Sequence, residues 1–224
     1  MDDGYFSPRF DQAAQLAQDF EFDILFDKVR LYNPSNTLPY HNWFHTCCMI
    51  CNCIEGAQFY NLSFRECHLI GVSALFHDFN HSGGRTSDAE NITRAIEGFR
   101  SFNNHHATLD GYQIEHTIQV TQYPFVHEPK TLEQMIIRDA DLMQILEPEW
   151  FEHVIIGLQN EFRHGGKIYS LDEMLKGQVI FLDEHIPNNL FTGWARRKFD
   201  PELGSVYGTR KAQVFTKLAY LELK

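Results

Sequence analysis

Apolar residues recur at helical spacing along almost the whole chain, and this periodicity constrains the fold most. Phe10, Ala13, Leu16, Ala17, Phe20 and Ile24 predict one helix over residues 9–32. Asn33-Pro34-Ser35-Asn36 reads as a turn. A second helix is expected to start near Pro39-Tyr40 and to carry His41 on to about Tyr60. Ser63-Phe64-Arg65-Glu66 has the pattern of a capping box and opens a strongly apolar helix through residues 69–76. Further helical patterns cover roughly 87–103, 108–121, 131–145, 148–163 and 171–185, with breaks at Gly165-Gly166 and Pro187-Asn188-Asn189. Lys167-Ile168-Tyr169 is too short to found a sheet. The expectation is an all-α chain, one domain over residues 1–224, built as a bundle of about seven to nine helices. The aromatic and basic tail after Asn188 (Trp194, Arg196, Arg197, Lys198) has no readable pattern.

Hydrophobic residues at 43% and charged residues at 22% exclude a disordered chain and a membrane bundle. No run of apolar residues is long enough for a transmembrane helix. Thirty acids against nineteen strong bases give a net charge of −11. That balance argues against a nucleic-acid polymer as partner. It leaves room for a small anionic substrate if metal ions supply local positive charge. Met1-Asp2-Asp3-Gly4-Tyr5 lacks an apolar signal region, so a cytoplasmic location is expected. Four of the five cysteines crowd into residues 47–53. Within a turn and a half of helix they cannot all converge on one tetrahedral ion, so buried free thiols are expected.

Four segments carry chemistry. In Tyr40-His41-Asn42-Trp43-Phe44-His45 the two histidines are four apart, which on a helix puts them on one face. His77-Asp78-Phe79-Asn80-His81 repeats that spacing at the end of the apolar helix. Asp139-Ala140-Asp141 sits inside the apolar run 135–146, where a carboxylate is costly unless paired or metal-bound. Asp139 and Asp141 face different ways on a helix, so one of them should be a ligand. Glu90 follows a glycine loop; it is either a ligand-side carboxylate or a solvated first-turn residue after Ser87. Imidazole plus carboxylate suits Zn²⁺, Mn²⁺ or Fe²⁺; carboxylate plus water suits Mg²⁺.

His45, His77-Asp78 and a later Asp resemble the HD-domain superfamily of metal-dependent phosphohydrolases. Leu38-Pro39-Tyr40-His41-Asn42-Trp43 and His77-Asp78-x-x-His81-x-Gly83 are similar to motifs of the class I cyclic-nucleotide phosphodiesterase catalytic core. Ala140-Asp141-Leu142, Pro148-Glu149-Trp150, Glu161-Phe162 and residues 178–183 follow in that family's order, so the resemblance spans about 36–185. The chain departs from the pattern at Thr46 and Thr86, and Asn103-Asn104-His105-His106 has no preceding Glu. His105, His106 and His116 lie outside the matched motifs and are expected at the surface or behind the site.

The resemblance implies a compact HD-domain bundle that hydrolyses a phosphodiester bond of a cyclic nucleotide. His45, His77, Asp78 and Asp141 would hold a first divalent ion (Zn, Mn or Fe). Asp78 would bridge to a second (Mg or Mn), ligated otherwise by water. Metal-activated hydroxide would attack while His41 protonates the leaving 3′-oxygen. His81 and Glu90 would lie around the hydroxide and the second ion's waters. Tyr40 would line the substrate, Gln178 would hydrogen-bond the purine, and Phe181 and Phe162 would stack on it. Two alternatives stay open: an HD-type nucleotidase or deoxynucleoside triphosphohydrolase, and a non-catalytic nucleotide-binding module.

Overall fold

The computed structural model describes residues 7–103, 107–202 and 205–222. Its elements in chain order are α1 (Ser7–Asp19), α2 (Asp23–Tyr32), α3 (Trp43–Phe59), α4 (Phe64–Phe76), α5 (Asp88–Phe102) and α6 (Leu109–Gln119). Then come α7 (Leu132–Asp141), α8 (Gly157–His164), α9 (Leu171–Ile180), α10 (Ile186–Asn189), α11 (Gly193–Lys198) and α12 (Val206–Glu222). Tight 3₁₀ turns cover Pro34–Thr37 and Leu142–Leu146, and wide π-type turns precede α8 and follow α9. Among the described residues there is no strand, as the periodicity predicts, and no helix long and apolar enough to cross a membrane. The N-terminal pentapeptide and His105-His106 lie outside the described residues.

α3 and α4 are apolar on nearly every side and therefore occupy the centre. Thirteen of the seventeen residues of α3 are buried, including all four of its cysteines, which are free thiols. α3 packs on α4, α1 and α7, and α4 also carries α6. The buried side chains of all these helices belong to one connected apolar core. Ser63 and Glu66 form the expected capping box at the start of α4.

Three local expectations are corrected. The helix over 9–32 is broken: Glu21 takes φ of +58° and the Phe22 amide turns back to the Ala17 carbonyl. The break drives Phe22 into the core, flat against Gly71, where an added Cβ would lie 2.6 Å from Phe22 Cε1. Burying an aromatic ring outweighs one continuous helix. The second helix begins at Trp43, because Asn42 Oδ1 accepts from the amides of Phe44 and His45 and so caps it. His41 thus precedes α3. Twelve α-helices are described, above the expected seven to nine. The excess comes from that first break and from α10, α11 and α12 in the tail.

The tail is tied to the centre by polar anchors. Asp139, fully buried, accepts from the amides of Phe191 (2.9 Å) and Thr192 (2.8 Å). Trp194 Nε1 donates to Glu55 on α3.

Candidate metal centre

α4 ends where the chemistry begins. His77 still has helical φ and ψ, and Asn80 then takes φ of +57° and reverses the chain. His81 is therefore off the helix and does not share a face with His77, contrary to the i, i+4 expectation. The turn rests on the Pro34–Thr37 loop. Asn33 Oδ1 accepts from the Asn80 amide at 2.9 Å, and Ser35 Oγ donates to the Asp78 carbonyl at 3.0 Å.

His45 and His77 meet Nε2 to Nε2 at 3.1 Å. His77 Nδ1 lies 2.7 Å from the Ala74 carbonyl, which only accepts, so its proton is on Nδ1. His45 Nδ1 is likewise 2.9 Å from Gln144 Oε1. With their Nδ1 sides so engaged, both rings turn Nε2 toward the same spot. Asp78 Oδ2 closes the triangle at 3.2 Å from His45 Nε2 and 3.0 Å from His77 Nε2. Asp141 Oδ1 adds a second carboxylate, 3.5 Å from His45 Nε2.

These edges match a cation. An octahedral ion with bonds of about 2.1 Å spaces neighbouring ligand atoms about 3.0 Å apart. Two imidazoles on one such ion keep their ring centres roughly 4.6–5.3 Å apart, and those of His45 and His77 are 5.1 Å apart. The electrostatics agree. Burial disfavours a charged His45, yet Asp141 and Asp78 outweigh it and push its pKa up to about 10. Two carboxylates beside two imidazoles favour positive charge, which a divalent ion at the point the two Nε2 atoms face could supply. His45, His77 and Asp78 are thus a group that can hold a metal ion.

His41, His81 and Glu161 form a second cluster of different character. Glu161 Oε2 accepts from the amides of Tyr40 and His41 at 3.0 Å each, and Oε1 takes His41 Nδ1. The Gly83 amide donates to His81 Nδ1 at 3.2 Å. Nδ1 of each ring and both Glu161 oxygens are therefore already in use. The His41 and His81 ring centres are only 3.7 Å apart, too close for two ligands of one ion. The cluster's geometry is that of a charged hydrogen-bonded group rather than an ion site. Burial works against a charged His41, but Asp78 and Glu161 more than compensate and raise its pKa. Burial, then His41, hold His81 down at about 4, so it is neutral. The burial of Glu161 is likewise outweighed, chiefly by His41, and its pKa falls to about 2.

Tyr40 packs between the two clusters, its ring 4.7 Å from that of His41 and 5.1 Å from that of His45. Asp139 points away into the tail, whereas Asp141 faces His45. Glu90 lies apart from both clusters: its exposed carboxylate accepts from Ser87 and closes a capping box on α5. The pattern Ser87-x-x-Glu90 already signalled that cap. Asp88, two residues earlier, reaches the site instead, with Oδ1 3.9 Å from His81 Nε2.

Gln178 is buried, and its Nε2 has no hydrogen-bond partner among the described residues. Phe181 stacks on His185 at 5.1 Å, and Phe162 packs edge-on to Tyr169. Sequence reasoning missed the roles of Asn33, Gln144 and Asp88. Gln144 carried a signal, being an amide inside the same apolar run that flagged Asp141.

No protein-family model and no curated protein matches the chain. Among solved structures, LmjPDEB1 in complex with IBMX, a class I phosphodiesterase catalytic domain from Leishmania, superposes with a TM-score of 0.55. The match covers 97% of this chain and 84% of that one at 14% identity. The likeness is one of all-α, phosphodiesterase-like fold.

Proposed function

We propose that the protein is a metal-dependent phosphodiesterase of HD type that hydrolyses a cyclic nucleotide. One observation carries the reading: Nε2 of His45 and Nε2 of His77 converge with Asp78 on one point, beside a histidine held by a carboxylate.

His45, His77, Asp78 and Asp141 would hold the first divalent ion, and Asp78 would share its carboxylate with a second. When bound, the ions supply hydroxide from water near neutral pH and offset phosphate charge. The chain's own residues do the rest. His41 gives its Nδ1 proton to the bond with Glu161, so the proton on Nε2 is free to go to the leaving 3′-oxygen. An alkoxide is a poor leaving group, and such an acid contributes on the order of 10²–10⁴ in rate. Glu161 also grips the amides of Tyr40 and His41, which fixes the backbone behind the acid. Neutral His81 lies tilted against His41 and adds no competing charge. The unpartnered amide of Gln178 suits a base edge, since it both donates and accepts. Phe181 and Phe162 offer ring faces for the base.

The asp- and his-rich mouth is open to solvent on the carboxylate side, with Asp141 30% exposed against 2% for His45. A small nucleotide could enter there. The test is a panel of cyclic mono- and dinucleotides, uncyclised nucleotides and deoxynucleoside triphosphates, each assayed with Mn²⁺, Mg²⁺ and Zn²⁺. Turnover of a cyclic nucleotide to a monophosphate is expected. Phosphate or triphosphate release from uncyclised nucleotides alone would replace this reading with the nucleotidase one. A metal-loaded protein without any turnover would leave a binding module.

A further inference from the structure

We infer that Asp88 is a positioning residue that ties the His41–His81 pair to the wall of the base pocket, resting on the reading of His41 as the acid and Phe181 as that wall. The capping box uses Glu90 and leaves Asp88 free to point inward. His81 takes the Gly83 amide on Nδ1, so the proton of the neutral ring is on Nε2, 3.9 Å from Asp88 Oδ1. A carboxylate there favours that tautomer and orients the ring tilted against His41. Asn91 Nδ2 donates to the same oxygen at 3.4 Å.

The other oxygen, Oδ2, accepts from the Tyr123 amide at 2.6 Å. Tyr123 is 51% exposed, so burial alone does not fix it. Its ring meets those of Phe125 (5.4 Å) and His185 (5.3 Å), and His185 stacks on Phe181. Arg138 grips the same segment from behind, donating to the Val120 and His127 carbonyls. Arg138 and His185 hold the segment to the body of the fold; Asp88 holds it to His81, the neighbour of the acid. One carboxylate thus sets both the orientation of His81 and the distance between the acid and the base wall.

Asp88→Ala removes both contacts, and Asp88→Asn keeps an acceptor for the Tyr123 amide while losing the charge. Three readouts are taken on each: hydrogen exchange at the Tyr123 amide, the ¹⁵N imidazole resonances of His81, and kcat and KM for two cyclic purine nucleotides. The Ala variant should exchange Tyr123 about fivefold faster, the loss of one hydrogen bond, and shift the base preference through KM. The Asn variant should restore both while still altering the His81 resonances and lowering kcat. Wild-type exchange and His81 resonances in the Ala variant overturn the inference. Exchange and resonance effects in a protein that turns over no nucleotide uphold the Asp88 link and sink the proposed reaction instead.

Discussion

Replacing Glu161 by glutamine removes one negative charge from a site where the side chain is 2% exposed and three donors point at it. In the folded chain its pKa is about 2, against an ordinary 4.5. That gap of about 2.5 units corresponds to ~3 kcal/mol of stability at pH 7. The sign follows from the direction. A depressed carboxylate stabilises fully above its unfolded pKa and loses that contribution as pH falls through 4.5 toward 2. At pH 3.5 about 2 kcal/mol should remain. Urea unfolding of wild type and Glu161→Gln at both pH values measures the difference. Glutamine keeps the shape and one acceptor oxygen, so the backbone amides of Tyr40 and His41 stay bonded and the charge is isolated. Its amide group would face His41 Nδ1 and favour the neutral ring, so kcat should fall while KM changes little. Equal stability at pH 7, or a difference that does not shrink toward pH 3.5, refutes the argument.

Asp78→Ala should lose bound metal and turnover together, read as metal content per chain after dialysis and as activity in the same sample. Asp139→Asn should leave metal content intact and lower Tm, because its oxygens hold the Phe191 and Thr192 amides; loss of metal there would mean that the two aspartates are wrongly assigned. Gly71→Ala should cost about 1–3 kcal/mol by overpacking against Phe22, a Tm drop of roughly 2–10 °C by calorimetry; an unchanged Tm would show that the ring has room to move. Gln178→Ala should change the ratio of kcat/KM between adenine and guanine substrates with little effect on metal content, and an unchanged ratio removes Gln178 from base recognition.

The all-α class, the turn at Asn33 and the cap at Ser63 were legible because each is a local property: a period, a turn residue, a spacing of three. That His45, His77 and Asp78 could form a metal-holding group was legible for a related reason. Imidazoles and carboxylates inside apolar helices are costly, and a chain keeps them there only for a partner. The i, i+4 argument singled out four histidines that do lie near one another, but not by sharing helix faces. His41 and His81 are both off the helices, and Glu161 and the contact between their rings bring them together. Glu90 stood out as a first-turn carboxylate, but the cap on Ser87 takes it, and Asp88 in the same turn lies nearer His81.

By itself the sequence determined which stretches are helical, which of them must be central, and which side chains are too polar for that centre without a ligand. Tertiary structure decided what the sequence spacing cannot encode. It set the break at Phe22, the pairing of Asp139 with the tail, and the division of four histidines into a pair that faces Asp78 and a pair gathered around Glu161. The reason is physical. Helix formation depends on neighbours three or four residues away. The tautomer and charge of an imidazole depend on which carbonyl, amide or carboxylate packing brings to each ring nitrogen, and those partners lie as far as 120 residues along the chain.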